Sequence, residues 1–406
     1  MKKIDGGITN AKGFKATGFF SGVRKKKNDT AIIYSEKESV VAGVFTKNTV
    51  KAAPVYYDME IVESSNNVNA IVVNSGNANA CTGKKGLEDT KAMANITAEV
   101  LGLKPENVLV SSTGVIGVPL PIDNLINGIR ENYNTLGDNK EDSLKAAEAI
   151  MTTDTFSKSY AVEFELNKRL VNIGGIAKGS GMIHPNMGTM LSYITTDIAI
   201  TKELLQEALL ESTEDSYNMI SVDGDTSTND TVLVLANGMA ENNIIDSKNE
   251  EYKLFKEALH EVNLGLSKLI VKDGEGAGKF IEANIIGVKT KEDGRKLAKS
   301  IINSNLVKTA FFGEDANWGR IVCAMGYTGI EFDMDKMDIY FTSDGNRVDL
   351  MKSGVPLDFS EDEAKLVLSA DEVKIFIELK EGEESATAWG CDLSYDYVKI
   401  NADYRT

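Results

Sequence analysis

The chain has 406 residues, enough at roughly 100–200 residues per domain for two or three domains and too long for a small stapled scaffold. Hydrophobic residues make up 42%, which supplies a packed core, and 44 basic against 61 acidic side chains leave a formal charge of −17. Such a surface repels phosphate backbones and anionic lipid, so neither nucleic acid nor a membrane surface is expected as a partner. Three widely spaced cysteines, Cys81, Cys323 and Cys391, draw neither a disulfide framework nor a CxxC metal pair and suit a reducing compartment. No apolar run approaches the ~20 residues of a membrane helix, and no apolar segment follows the amino-terminal lysines, so the expected location is the cytoplasm.

In chain order, Met93, Ile96 and Val100 predict a helix face that stops at Gly102, and further helices are expected over about 121–135 and 143–151, separated by the polar break Gly137–Asp142. Val162, Phe164 and Leu166 alternate with Glu163 and Glu165, the pattern of a half-solvated strand. Leu191–Ile200 reads as a strand, and Leu204, Leu205, Ala208 and Leu209 as a helix behind a Thr201 cap. After a second polar break at Glu241–Lys248, a helix over 250–270 places His260 among Lys256, Glu257 and Glu261 on its wet face. A glycine-rich break near Asp273–Lys279 precedes the strand Ile281–Val288, followed by helices over 291–303 and 359–368 and the alternating strand Val373–Leu379. Strands and helices interleave without a strict βαβ rhythm, so the chain is read as mixed α/β layers, its last 120 or so residues forming a separate domain.

Two tempting motifs fail. Gly274–Lys279 is one residue short of a phosphate loop and runs into Phe280 and a strand; Asp223–Thr228 opens like a calcium loop but meets Val234 where a bidentate Glu belongs. Only two histidines occur, His184 and His260, which rules out a three-histidine zinc site and disfavours a Ser-His-Asp triad; His184, in a Gly/Pro-flanked loop, is the one histidine placed for catalysis. A nucleophile here needs another base. The glycine-punctuated loop Ala177–Leu191 ends at Thr189, a hydroxyl at the mouth of a strand behind the small residue Gly188. An amino-terminal threonine fits that geometry, because its own α-amine, with a pKa of about 7.7–8.0, can accept the proton. Taken alone, Gly-Thr at a strand start is also the pattern of an ordinary turn.

The run Lys178–Leu191 resembles the processing-site motif of the ornithine acetyltransferase (glutamate N-acetyltransferase) family of arginine biosynthesis, and the resemblance extends over essentially the whole chain. It includes Asn74–Ala80, Ser112–Gly117, Met151–Thr155, Ser221–Thr231, Glu275–Ala277, Gly313–Arg320 and Asn401–Thr406. Gly188 stands where the family usually has Ala, and cleavage is expected to survive this smaller, more flexible residue. The resemblance implies an α/β (α+β) fold of mixed sheets layered with helices, an αββα-like core and a separate smaller C-terminal α/β domain. It implies self-cleavage at Gly188–Thr189, so that 1–188 is an alpha fragment, 189–280 completes the core and 281–406 is the C-terminal domain. Thr189 would then carry the acetyl group from N-acetylornithine to glutamate through an acyl-enzyme, with Thr113 and Gly114 as the oxyanion site.

Substrate-binding matches are Thr152, Lys178, Thr189, Glu275, Asn401 and Thr406. Lys178 suits the substrate carboxylate, and Glu275 a cationic group or a proton transfer. Neither a metal nor a bound cofactor is implied, and acetyl-CoA stays open as a second donor. The two fragments are expected to remain together as an α2β2 assembly. Competing readings are an amidohydrolase or aminopeptidase that uses the same Thr189 but releases the acyl group to water, and an uncleaved amino-acid-binding protein.

Overall fold

The computed structural model describes residues 1–64, 67–184 and 190–403. Its organising element is the long strand Thr30–Phe45, which changes partners midway. Residues 30–35 lie between the antiparallel strands Phe14–Phe19 and Val68–Asn77, and Val108–Val115 extends that sheet by parallel pairing. Beyond the exposed trio Glu36, Lys37 and Glu38, residues 40–45 pair instead with Thr231–Ala236, on the edge of a second layer formed by Leu191–Thr196, Arg169–Lys178, Lys158–Leu166 and Lys2–Ile4.

Side-chain alternation sorts the residues into four layers. Ile33, Ile71, Val73 and Leu109 of the first layer meet Ile176, Tyr193, Leu233 and Leu235 of the second in a dry core. On the far side of the first layer, Ile32, Val72 and Val110 are covered by Met93 and Ile96 of helix Gly83–Leu101 and by Leu125 and Ile129 of helix Ile122–Asn132. On the far side of the second, Val162, Phe164, Ile194 and Val234 are covered by Leu205 and Leu209 of helix Lys202–Glu214 and by Phe255, Leu259 and Val262 of helix Glu250–Lys272. The result is the αββα arrangement, each buried aliphatic side chain contributing about 1.5–3 kcal/mol of transfer free energy.

A further mixed sheet runs in the order Val355–Pro356, Asn346–Lys352, Asp338–Ser343, Glu372–Glu378, Phe280–Val288, Glu384–Cys391 and Ile220–Ser221. Its last member comes from the middle of the chain, so residues 222–230 are stretched between this sheet and the sandwich strand Thr231–Ala236. The apolar core of the outer sandwich face continues into this sheet through Ile281, Ile375 and Trp389.

Several boundaries differ from the sequence expectation. The strand expected over Leu191–Ile200 ends at Thr196, because the buried Asp197 accepts the backbone N–H groups of Asn172 and Lys12 and turns the chain out of the sheet; Ile198 and Ile200 stay buried, which is why they read as strand. The polar break before residue 143 contains a capping box, Asn139 with Asp142, so that helix begins at Lys140. Thr201 stands at its helix's N-cap position, but its side chain accepts no capping hydrogen bond. His260 is half-buried with its Nδ1 3.4 Å from Ser212 Oγ, not on a wet face, because helix Lys202–Glu214 packs alongside. Helices Ala53–Glu63, Asn305–Phe312, Trp318–Gly326 and Tyr395–Asp403 escaped the sequence reading. No helix among the described residues is long and apolar enough to cross a membrane.

Candidate active site

A cavity of about 320 Å³ opens where the strand ends of the sandwich face the loop 222–230. Thr113, Gly114, Thr152, Lys178, Glu275 and Asn401, read from five separate stretches of sequence, all line it, as do Ile183, Met190 and Leu191. Gly188, Thr189 and Thr406 lie outside the described residues. His184 is not among the lining residues: its Nδ1 lies 3.1 Å from Ser221 Oγ, and burial, then the charge of Lys299, lowers its pKa to about 4.

Lys178 ends the strand Arg169–Lys178, and the sheet buries its stem and turns its ammonium into the cavity wall. Nζ donates to Thr152 Oγ1 at 2.7 Å and Thr113 Oγ1 at 3.4 Å, and stands 4.0 Å from Asp154 Oδ2. Burial lowers the lysine's pKa, and the attraction of Asp154 opposes that without cancelling it. Asp154 is the hub of the wall. It accepts the Gly179 N–H at 2.6 Å, the Thr152 N–H at 2.9 Å and Lys158 Nζ at 2.7 Å. Burial alone would raise its pKa, but the charges of Lys178 and Lys158 outweigh it and hold the carboxyl well below the usual carboxylate range. Lys158, fully buried, also reaches Asp273 Oδ2 at 2.5 Å, and Asp273 in turn accepts the Thr155 N–H. A chain of alternating charges thus stands behind the cavity.

Thr113 and Gly114 sit near the end of strand Val108–Val115. Gly114 has φ +134°, and a Cβ there would overlap the backbone of Gly76 and Asn77 on the parallel neighbour, so only glycine fits. Asn229 closes this side by donating to the carbonyls of Ala78 and Ser112 at 2.6 and 2.7 Å.

The opposite wall is built differently. Glu275 sits in the loop between helix Glu250–Lys272 and strand Phe280–Val288, with its backbone N–H on the Ser180 carbonyl at 2.8 Å. Its carboxylate lies over Gly181, where a Cβ would overlap it, and accepts Asn401 Nδ2 at 2.8 Å. Asn401 and Tyr397, both lining the cavity, come from helix Tyr395–Asp403. Ala78, Asp223 and the run Asp225–Asp230 complete the cavity wall. Sequence reasoning missed Asp154 and Asp223 as organisers. Asp223 was dismissed with the failed calcium loop, yet its side chain caps the backbone of Met182 and Ile183.

A buried ammonium flanked by two hydroxyls can hold a carboxylate, and a carboxylate across the cavity can meet a cation. A model of the ArgJ family matches residues 15–406. The chain is 56% identical over 400 residues to the arginine biosynthesis bifunctional protein ArgJ 1 of Clostridium acetobutylicum, covering 98% of this chain and 97% of that one. It is 49% identical over 412 residues to the glutamate N-acetyltransferase of Methanocaldococcus jannaschii, covering both in full. Among solved structures, the arginine biosynthesis bifunctional protein ArgJ of Bacillus halodurans is similar with a TM-score of 0.51 and 46% identity, all of that chain corresponding to 53% of this one.

Proposed function

The chain belongs to the ArgJ family, and from its cavity we propose how its acetyl transfer runs. It is a bifunctional enzyme of arginine biosynthesis and a glutamate N-acetyltransferase. In our reading Thr189 first cuts the Gly188–Thr189 bond with its own hydroxyl by an N→O acyl shift, and water then hydrolyses the ester. The freed α-amine serves as base. Thr189 Oγ next attacks the acetyl carbon of N-acetylornithine; the C–N bond breaks and ornithine leaves with its amine protonated. The glutamate amine then attacks the acetyl ester, the C–O bond breaks, and the hydroxyl is restored. Thr113 and Gly114 stabilise the tetrahedral oxygen in both half-reactions, a contribution of about 2.7–4 kcal/mol for a single donor. Lys178, seconded by Thr152, holds the α-carboxylate that donor and acceptor share, while Glu275 and Asn401 face the far end of the substrate.

The observation that carries this reading is the convergence of Thr113, Gly114, Thr152, Lys178, Glu275 and Asn401 on one cavity whose wall includes Met190, the residue covalently next to Thr189. Cleavage would leave pieces of 188 and 218 residues, and the Bacillus halodurans chain spans a share of this one close to the larger piece. Ile33, Ile71 and Ile176 from the first piece pack with Leu191, Tyr193 and Leu233 from the second, which favours two pieces that stay together and assemble as α2β2. Acetyl-CoA is proposed as a second donor to the same hydroxyl, and the cytoplasm as the compartment, in keeping with free Cys81, Cys323 and Cys391. The test is intact-mass measurement of the processed enzyme incubated with N-acetylornithine alone. One acetyl group on the 218-residue piece, lost on adding glutamate, supports the reading; ornithine and free acetate with no modified piece would favour the hydrolase.

A further inference from the structure

Helix Tyr395–Asp403 contributes Tyr397 and Asn401 to the cavity although it buries none of its residues. Tyr395 and Val398 are 77% and 64% exposed. A nine-residue helix has little stability of its own, and without a buried face its position must come from discrete contacts. Those contacts are few. Ser394 Oγ donates to the Gly276 carbonyl at 2.6 Å, and Gly276, with φ +69°, lets the helix backbone approach so closely that a Cβ would sit 2.5 Å from the Tyr397 nitrogen. The Tyr395 ring meets Phe312 edge-on at 5.6 Å, Asn401 holds Glu275, and the Tyr397 hydroxyl donates to Asp223 Oδ2 at 3.4 Å.

Asp223 is the other half of the device. Its carboxylate accepts the N–H groups of Met182 at 2.6 Å, Ile183 at 2.9 Å and Asp225 at 3.2 Å. Met182 has φ +55°, a left-handed conformation that is unfavourable for a non-glycine residue and persists only where its surroundings enforce it. The carboxylate supplies that enforcement. One side chain therefore fixes a strained cavity wall and reaches, through Tyr397, the helix that delivers Asn401 to Glu275.

We infer that Asp223 and Tyr397 are positioning residues, a clasp joining the Met182–Ile183 wall to the C-terminal helix so that Asn401 orients the Glu275 carboxylate toward the cationic end of the donor. The inference rests on the reading of Glu275 given above. Tyr397 and Asn401 then act as one unit through the helix, rather than as two separate contacts to substrate.

The experiment is steady-state kinetics on the processed enzyme with N-acetylornithine and glutamate varied in turn, for Tyr397→Phe, Asn401→Ala and the double variant. Loss of this long, 3.4 Å hydrogen bond to the Asp223 carboxylate should raise the KM for N-acetylornithine about three- to tenfold in Tyr397→Phe, with kcat and the glutamate KM within about twofold. The double variant should be no worse than the worse single one, the signature of coupled residues. Asp223→Asn, which keeps one carbonyl acceptor, should fall between wild type and Asp223→Ala in the same KM. An unchanged donor KM in Tyr397→Phe, effects that multiply in the double variant, or a loss confined to kcat or to melting temperature would each overturn the clasp. Wild-type enzyme that transfers no acetyl group from N-acetylornithine would instead refute the underlying reading, which a failed clasp leaves intact.

Discussion

The two walls of the cavity are built on opposite principles. The Lys178 wall is made of strand ends: Thr113 and Lys178 are carried by strands locked in a four-layer sandwich, and behind them Asp154, Lys158 and Asp273 alternate in charge with almost no solvent contact. The Glu275 wall is a loop braced by helix Tyr395–Asp403, which buries none of its own residues. If the substrates share a carboxylate and differ at the far end, the rigid wall meets the constant group and the adjustable wall meets the variable one.

That contrast can be broken at its stiff end first. Lys158 is fully buried between two carboxylates, and removing one partner of a buried ion network leaves uncompensated charge, typically at a cost of 3–5 kcal/mol by order of magnitude. Lys158→Met should therefore lower unfolding free energy by about that much in denaturant titration. A loss below about 1 kcal/mol would mean that the wall does not depend on its charges.

Lys178→Met probes the same wall at the cavity. Losing a charge-assisted hydrogen bond of about 1.5–3 kcal/mol should raise the KM for N-acetylornithine and for glutamate alike, by about tenfold to more than a hundredfold. Both values within twofold of wild type would dismiss the carboxylate clamp. Glu275→Gln sharpens the contrast from the other side. It should weaken the cationic donor several-fold and spare the glutamate acceptor if Glu275 meets the ammonium, and slow both half-reactions equally if it moves a proton.

The smallest effect concerns His184, held at about 4 against its usual 6.5 by burial and by Lys299. Between those values the unfolded chain binds a proton that the folded one refuses, so this contribution to stability is complete above pH 6.5 and is lost as pH falls toward about 4. His184→Gln should flatten the acid limb of the stability profile in that window; an unchanged slope would show that the histidine titrates normally.

Much of the sandwich was legible because alternation is strong where one face is buried. Val162, Phe164 and Leu166 point into the outer core as their spacing required. The glycine at 114 was legible only through its motif, since the overlap with Gly76 belongs to another strand. Asp154 lies in the Met151–Thr155 motif, but its pairing with Lys158 was not legible, because a carboxylate and an ammonium four residues apart look like a solvated pair until the fold encloses them. The helix Tyr395–Asp403 escaped notice because nothing in it is buried, so no apolar period existed to be read. His260 was misplaced for a related reason: its neighbours Lys256, Glu257 and Glu261 are polar, and only the docking of a second helix shelters it.

The central claim is that one hydroxyl, that of Thr189, both cuts the chain and carries the acetyl group. Its most direct test is to purify Thr189→Ala and measure its intact mass beside its glutamate acetylation from N-acetylornithine. The account predicts a single soluble species of 406 residues with no transfer activity, where the wild-type chain gives pieces of 188 and 218 residues and acetylglutamate. Cleavage between residues 188 and 189 in the alanine variant, or acetylglutamate formed by the uncut protein at the wild-type rate, would contradict it.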